Sequence, residues 1–340
     1  MNVFELTRTL VDIESVTENE AEVASWLEAH LSEIAGSTGG RTERMEVEHG
    51  RSNVFAHWGE PRVTLSTHMD TVPPFFPSRE DAEFIWGRGA CDAKGIIAAM
   101  IAAVERLLDS GVKNFGLLFV VGEERNSAGA KVAAVNPRGA RFLINGEPTE
   151  NQLALGSKGA LRFEVTAHGK LAHSAYPELG YSAIHALLDV LRAIRSIELP
   201  ADALLGQSTL NIGVIAGGRA PNVVADHAQA EIMFRTVGDP AEIRQAVLAA
   251  AAGRAEAREV LHTPALRLAG FDGLPTTVVA FTTDIPTFNG VWGQPFLIGP
   301  GSIHLAHTAE ERIPKKQLSE AVDIYARMVR QLLATGAAAA

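Results

Sequence analysis

Cysteine is almost absent from this chain of 340 residues. Cys91 is the single cysteine, so no disulfide framework can form and the protein need not meet an oxidising compartment. A secretory signal is not apparent either. The N-terminal stretch MNVFELTRTLVDIE carries acidic residues where a signal peptide has a basic region followed by an apolar core. These absences predict a cytoplasmic protein.

Long apolar runs and an excess of basic residues are also missing. The longest weakly charged run, residues 95–108, contains Glu105 and Arg106 and is too short to span a bilayer, so it predicts a buried helix and no membrane role. The formal net charge of −10 argues against nucleic-acid binding, which needs a basic surface. The G-x-S-x-G elbow and the G-x-x-x-x-G-K-[ST] loop do not occur, so serine-hydrolase and phosphate-loop chemistry are unsupported.

The order of helical and strand-like segments predicts two domains of different class. Strands and helices alternate over residues 1–156 and again over 270–340, which is typical of an α/β domain whose mixed sheet is covered by helices. Residues 157–269 instead follow the order β-α-β-β-α-β, which is the ferredoxin-like α+β unit. We therefore expect a discontinuous α/β domain interrupted by a ferredoxin-like insert.

Local signals predict where the elements begin and end. Thr17 and Glu20 have the spacing of a capping box before the second helix. Helical periodicity covers about 3–14, 18–35, 94–109 and 315–334. Apolar strands of the α/β domain are expected at 62–67, 114–121, 141–145 and 294–299. The last residues, AAAA at 337–340, are expected to form a frayed tail.

Histidines and acidic residues follow four of these predicted strands. Ligands of open α/β sheets bind at the carboxyl ends of the strands, so these side chains should meet at one edge. Clustered carboxylates repel one another and lose hydration, a conflict that divalent cations resolve. The mixture suits zinc, with Co²⁺ or Mn²⁺ as substitutes, and two ions about 3.5–4 Å apart fit if an aspartate bridges them. The residues are His68, Asp70, Glu123, Glu124, Glu147 and His307, with Asp92 in the loop before a helix.

The motifs around these residues resemble the M20 metallopeptidases. They are HMDTVPP, GRGACDAKG, GEE, GEPT and GPGSIHLAHTAEE, and they occur in the family's order along residues 10–335. The family includes acetylornithine deacetylase, succinyl-diaminopimelate desuccinylase and carboxypeptidase G2. The resemblance implies a zinc-exopeptidase-like catalytic domain with an inserted dimerisation domain.

The resemblance also implies a ligand set for two metal ions. His68 and Glu147 would bind one ion, Glu124 and His307 would bind the other, and Asp92 would bridge them. The peptide bond after Asp92 is often cis in this family. His304 lies three residues before His307 and is a competing ligand, but the family pattern favours His307.

Two further acidic residues receive roles from the resemblance. Asp70 would accept the second ring N–H of His68 and so set its tautomer. Glu123 would be the general base, taking a proton from the attacking water and passing it to the leaving amine.

The insert contributes residues that the resemblance assigns to the substrate. His173, in GKLAHSAYPELG, would reach the active site of the other subunit of a homodimer and stabilise the oxyanion. Asn222 and Arg235 would bind the carboxylate of the substrate, with Gly301 lining the pocket. Departures from the family pattern at Lys158, Ala225 and Met233 concern substrate placement and not the proposed ligands.

The sequence therefore predicts a di-zinc amidohydrolase that removes a small acyl group, acetyl first, from the α-amine of an amino acid. The segment GPGSIHLAHTAEE looks most like the acetylornithine and acetyl-lysine deacetylase branch. The alternatives are a succinyl-diaminopimelate desuccinylase, an M20 dipeptidase or carboxypeptidase, and a non-catalytic metal-binding homologue.

Overall fold

The computed structural model describes residues 1–335 as two compact units. The first unit comprises residues 1–155, residues 268–277 and residues 283–335. The second comprises residues 156–267 and also residues 278–282, a short return that no composition change in the sequence marks. The tail predicted at 337–340 lies outside the described residues.

Helices and strands alternate along most of the chain. The helices are α1 (Val3–Asp12), α2 (Ala21–Thr38), α3 (Lys94–Asp109), α4 (Ala128–Val135), α5 (Ala183–Arg195), α6 (Ala241–Ala251), α7 (Ile285–Phe288) and α8 (Lys315–Thr335), with a 3₁₀ turn at Pro177–Leu179. The first strands are β1 (Arg41–Glu48), β2 (Arg51–Trp58), β3 (Val63–His68), β4 (Arg79–Glu80), β5 (Phe84–Trp86), β6 (Phe115–Val120), β7 (Phe142–Asn145), β8 (Leu153–Ser157) and β9 (Gly159–His168). The later strands are β10 (Ala201–Asp202), β11 (Gly206–Gln207), β12 (Thr209–Gly217), β13 (His227–Thr236), β14 (Glu256–Thr263), β15 (Leu266–Arg267), β16 (Thr276–Val279), β17 (Gln294–Leu297) and β18 (Arg312–Pro314).

The first unit is built on a mixed sheet with the order β1-β2-β6-β3-β7-β17-β8. Its centre, β6-β3-β7-β17, is parallel throughout, and antiparallel strands flank it on both sides. β3 and β6 are buried at every residue, as strands covered on both faces are. The mixed, helix-covered sheet predicted from the sequence is confirmed. Four parallel neighbours also bring four carboxyl ends to one edge.

Helix α3 forms much of the core of this unit. Eleven of its residues are buried, and it packs against α1 and α8. A Cβ at Gly95 would lie 2.3 Å from the carbonyl oxygen of Ala90, so only glycine allows the helix to start so close to that loop. The run at 95–108 is thus the buried helix that the sequence predicts. Over residues 1–335, no helix combines the length and the apolar character that crossing a bilayer requires.

The second unit contains a four-stranded antiparallel sheet with the order β12-β13-β9-β14. Helices α5 and α6 pack together against it, and alternate residues of β9 and β13 are buried beneath them. The chain order β9-α5-β12-β13-α6-β14 is the ferredoxin-like arrangement. The period-two burial explains why the sequence of this unit alternates whereas that of the first unit's strands does not.

The predicted capping box before α2 is wrong. Glu20 is the N-cap residue, but no side chain caps the helix. Its carboxylate instead accepts bonds from Arg51 Nε at 2.8 Å and Nη2 at 2.6 Å. The Thr17 hydroxyl donates to Asp70 Oδ2 at 2.8 Å, far along the chain. A buried arginine and a buried aspartate therefore compete successfully with the local cap.

Candidate metal centre

The carboxyl ends of the four parallel strands carry the predicted side chains. β3 ends on His68, and Glu123 and Glu124 follow β6. Glu147 follows β7 by two residues, and His307 lies in the loop after β17. Because these strands are neighbours in the sheet, residues separated by more than 200 positions approach one another.

Asp92 lies between the two histidines. Its Oδ1 is 2.9 Å from His68 Nε2, and its Oδ2 is 3.3 Å from His307 Nε2. The Asp92–Ala93 peptide bond is cis, as expected from the family resemblance. One carboxylate therefore presents a separate oxygen to each imidazole, which is the arrangement a bridging ligand requires.

Two glutamates complete the surroundings of the histidines. Glu124 Oε1 lies 2.9 Å from His307 Nε2, and Glu147 Oε2 lies 4.0 Å from His68 Nε2. The other oxygen of Glu147 is buried and has no hydrogen-bond partner among the described residues. Ligand atoms of His68, Asp92 and Glu124 all lie within 4.8 Å of one another.

The carboxylates of this cluster are held in an environment that disfavours their charge. Burial raises the pKa of Glu147 and of Glu123 well above the usual range. Burial also raises the pKa of Glu124, while the contact with His307 opposes that rise. Asp92 differs, because its contacts with His307 and His68 outweigh burial and lower its pKa.

The acidic groups raise the pKa of both histidines, which favours proton binding by the rings. Contacts with Asp92 and Glu124 raise the pKa of His307 to about 10. Burial lowers the pKa of His68, but Asp70, Asp92 and Glu147 together raise it well above its ordinary value. A divalent cation would replace these protons and satisfy the same oxygens. The donor set and the unpartnered oxygen of Glu147 therefore fit a metal ion.

Asp70 faces the second ring nitrogen of His68 with two of its oxygens. The closer acceptor of His68 Nδ1 is the Asp70 carbonyl oxygen at 3.0 Å, whereas Oδ1 of the Asp70 carboxylate is 3.5 Å away. That carboxylate accepts the backbone N–H groups of Glu123 at 3.1 Å and Glu124 at 3.3 Å, and the hydroxyl of Thr17. Asp70 therefore orients the loop that carries the two glutamates as well as the imidazole.

Asp284 is a buried acid that the sequence analysis missed. It is 1% exposed, and neither carboxylate oxygen has a partner in good hydrogen-bond geometry among the described residues. Burial raises its pKa to about 6, and its charge adds to the raised pKa of Glu123 and of Glu147. The signal available was an acidic residue in TTDIP, shortly after the β-branched run TTVVAF at 276–281.

Three predicted substrate residues belong to the second unit. His173 and Asn222 lie close together there, because His173 bridges to Val223 and the N–H of Ser174 donates to the Asn222 carbonyl. Both His173 and Asn222 are exposed. Arg235 is on β13 and half-buried, and burial lowers its pKa.

Gly301, the remaining predicted substrate residue, is buried in the first unit. It has a left-handed φ of +90°, and a Cβ would lie 2.7 Å from the Cβ of Cys91. Its N–H donates to Gln317 Oε1 at 2.8 Å. These contacts explain the glycine through packing next to the loop of Asp92.

A mixed α/β unit with histidines and carboxylates gathered at the edge of its sheet is typical of metallopeptidases. The chain belongs to peptidase family M20/M25/M40, whose pattern matches residues 64–331. It is therefore a hydrolase that acts on amide bonds.

Similar proteins agree on the family but carry different names. A peptidase M20 domain-containing protein of Schizosaccharomyces pombe is 41% identical over 96% of this chain and 84% of its own length. A probable carboxypeptidase of Aspergillus clavatus is 37% identical over 96% of this chain and 81% of its own length. Both names are those of peptidases.

Solved structures share the fold. The aminopeptidase PepT of Bacillus cereus has a TM-score of 0.78 at 20% identity, covering 98% of both chains. The YXEP protein of Bacillus subtilis, described as a dinuclear metal-binding peptidase of the M20 family, has a TM-score of 0.67 at 17% identity, covering 95% of both chains.

Proposed function

We propose that this chain is a hydrolase that uses two divalent metal ions. The proposal depends on Asp92, whose oxygens lie 2.9 Å from His68 Nε2 and 3.3 Å from His307 Nε2. His68 and Glu147 would hold one ion, Glu124 and His307 would hold the other, and Asp92 would contribute an oxygen to each. The ligand chemistry suits zinc, with Co²⁺ or Mn²⁺ as substitutes.

Glu123 is the general base of the proposed reaction. When bound, the ions act as Lewis acids that polarise a carbonyl and bring the pKa of water to about 7. Glu123 takes the proton of the attacking water and delivers it to the leaving amine. Burial, and next the charge of Glu147, raise the pKa of Glu123 well above its usual range. A raised pKa makes a carboxylate a stronger base. The bond from its N–H to Asp70 orients it.

The proposed substrate is an amino acid with a free carboxylate and an acyl group on its α-amine. Asn222 and Arg235 bind the carboxylate, because a guanidinium pairs well with a planar anion. His173 of a second subunit stabilises the oxyanion, and Gly301 lines the pocket. All four assignments are carried over from the family resemblance.

Acetyl, succinyl and peptidyl groups all satisfy this description, and two of them are each favoured by an observation. An acetyl group makes the enzyme a deacetylase of the acetylornithine or acetyl-lysine type, which the motif GPGSIHLAHTAEE favours. A peptidyl group makes it a carboxypeptidase or dipeptidase, which the names of its relatives favour. Both reactions release the same kind of product, a free amino acid, so one machinery serves either.

We also propose a cytoplasmic homodimer joined through the second unit. β12 is an edge strand of the sheet, and its Val214 and Ile215 are 46% and 57% exposed. Unpaired edges with apolar side chains are ready to pair with another chain. Ile215→Glu should shift the protein to monomer in analytical ultracentrifugation and lower activity. Val135→Glu, at another exposed valine (78%), is the matched control and should not.

Amine release from a substrate panel tests the proposed function. The purified protein is loaded with Zn²⁺ or Co²⁺ and given Nα-acetylornithine, Nα-acetyl-lysine, succinyl-diaminopimelate and N-blocked and free dipeptides. Glu123→Gln should lower turnover by roughly 10²- to 10⁴-fold, the usual contribution of a general base, and should retain both ions. Turnover of one substrate class identifies the acyl group.

The same assay separates the alternatives. Two bound ions with no turnover of any amide would favour a non-catalytic metal-binding homologue. Full activity in Glu123→Gln would show that another group is the base.

A further inference from the structure

Glu311 is a buried carboxylate that contacts the loop of Asp92. It lies four residues after His307 and is 1% exposed. Its Oε1 accepts the backbone N–H of Asp92 at 3.2 Å and that of Cys91 at 3.3 Å. Its own carbonyl oxygen accepts the N–H of Gly87 at 3.1 Å. Glu311 therefore fixes both ends of the segment 87–92 to the loop that carries His307.

Arg88 holds the other side of this carboxylate. Its Nη1 is 2.5 Å from Glu311 Oε2, and its Nε donates to the Pro74 carbonyl at 3.1 Å. Arg88 is 2% exposed, so the pair is almost fully withdrawn from water. A desolvated ion pair keeps its geometry because losing either partner leaves a buried charge. The guanidinium also connects this loop to the segment that follows His68 and Asp70.

The contacts of Glu311 parallel those of Asp70. Each carboxylate accepts two consecutive backbone N–H groups, those of Glu123 and Glu124 for Asp70, and those of Cys91 and Asp92 for Glu311. Two such bonds fix the orientation of the peptide group before the ligand residue. They therefore restrict where the side chain of the ligand residue can point. Asp92 has the more demanding placement, since its two oxygens must face two different histidines.

We infer that Glu311, held by Arg88, is a positioning residue that sets Asp92 between His68 and His307. The inference rests on the proposed two-metal function, because it concerns how the bridging ligand is oriented. A structural ion pair alone would stabilise the fold and leave the ligand geometry unchanged. A positioning pair must in addition alter metal affinity and the coordination of the bound ions. Losing a group that orients a ligand typically costs roughly 10- to 100-fold in metal affinity or activity.

The test uses Co²⁺ as the probe and compares Glu311→Gln and Arg88→Met with the native chain. Glutamine retains the shape and one oxygen for the two N–H groups, but it loses the charge that pairs with Arg88. We expect Co²⁺ affinity, measured by calorimetry, to fall by roughly 10- to 100-fold for both ions. The visible spectrum of the Co²⁺ protein should change, and the loss of activity should appear mainly in kcat. The double variant should be little worse than either single variant, since the two side chains act as a unit.

Leu31→Ala is the matched control for stability. Leu31 is fully buried on α2 in the same unit and belongs to the hydrophobic core. It should lower the Tm without changing the Co²⁺ spectrum or affinity. Arg88→Lys, which retains a charge but lacks the fork that reaches both Glu311 and Pro74, should give a smaller spectral change and serves if the stronger variants do not fold.

The outcomes separate the inference from the proposed function. A native chain that binds no Co²⁺ would overturn the two-metal function itself. A native chain that binds two Co²⁺ while the variants show its spectrum and affinity, with a Tm loss like that of Leu31→Ala, would overturn only the inference and leave Arg88–Glu311 as a structural pair.

Discussion

The two histidines of the candidate centre reach Asp92 in different ways. His68 is the last residue of β3, in the middle of a parallel sheet, and is 1% exposed. His307 lies in the loop after β17, has a left-handed φ of +64°, and its side chain is 49% exposed. Regular strand pairing sets the first imidazole, whereas the second depends on an unusual local conformation that the surroundings must enforce. One half of the centre is therefore built by the sheet, and the other by its loops.

This difference predicts two unequal metal sites. The half around His68 and Glu147 is rigid and buried, so little ordering is needed when an ion binds. The half around Glu124 and His307 must hold a loop in place, which costs conformational entropy. We expect Co²⁺ to bind in two steps, with the first step at His68.

Asp92→Asn is expected to have the largest effect on metal binding and activity, because it removes the carboxylate that the two metal sites share. An amide retains the size of the side chain but offers one oxygen in place of two anionic oxygens, so it cannot bridge two ions. Both binding steps in a Co²⁺ titration should be weakened severely, and turnover should be lost.

Single histidine variants are the comparison for Asp92→Asn. His68→Ala should remove the tighter step and His307→Ala the weaker one, each leaving one ion bound. Two ions bound to Asp92→Asn with native affinities would show that Asp92 is not a bridge.

The proton that a metal ion displaces from His307 should give a second difference between the two metal sites. Before a cation binds, the pKa of His307 is about 10, so at pH 7 the ring carries a proton that the metal must displace. Affinity for the second ion should therefore rise with pH, by about tenfold per unit between pH 7 and 9 for each proton displaced, and level off above pH 10.

Calorimetry in buffers of different ionisation enthalpy measures these protons directly. His307→Ala should release at least one proton fewer than the native chain when the remaining ion binds. Equal proton release by both proteins would mean that His307 does not lose a proton to the metal.

The smallest expected effect is that of Thr17→Val, which acts on the His68 half through Asp70. It removes the 2.8 Å bond from the hydroxyl to Asp70 Oδ2, a bond to a charged group worth about 1.5–3 kcal/mol. The remaining bonds from Glu123 and Glu124 should keep Asp70 near its place. Urea unfolding should show the loss, and Thr17→Ser should restore most of it. Equal stability of the valine and serine variants would contradict this reading.

Much of the fold was predictable because its signals are local. The apolar runs of β3 and β6, and the run within α3, predicted buried elements whose observed ends lie within one or two residues. The order of strands and helices over 157–269 predicted the ferredoxin-like unit, in which alternate residues of β9 and β13 are buried. Failures came where a distant partner decided the outcome. Thr17 and Glu20 have the spacing of a local cap, yet Asp70 and Arg51 bind them.

The residues of the candidate site can be divided in the same way, into those that the sequence motifs identified and those that only the tertiary structure revealed. His68, Asp92, Glu124, Glu147 and His307 were identifiable because their residue types recur after strands in family motifs, and the structure brings them to one edge. Glu311 and Asp284 were not predicted as site residues, since an acidic residue near a motif or after a strand carries no sign of what it contacts. Only packing shows that Glu311 accepts two N–H groups and that Asp284 is buried with no partner in good hydrogen-bond geometry among the described residues.

The sequence by itself determined the periodicity of the elements, the family and the residue types that a metal centre needs, because these depend on the nature and spacing of nearby residues. The tertiary structure alone decided which oxygen faces which histidine, which carboxylates support the ligand loops, and which histidine is buried. Those relations depend on the register of parallel strands and on buried electrostatics between residues up to about 220 positions apart, as for Glu311 and Cys91, which no local pattern encodes.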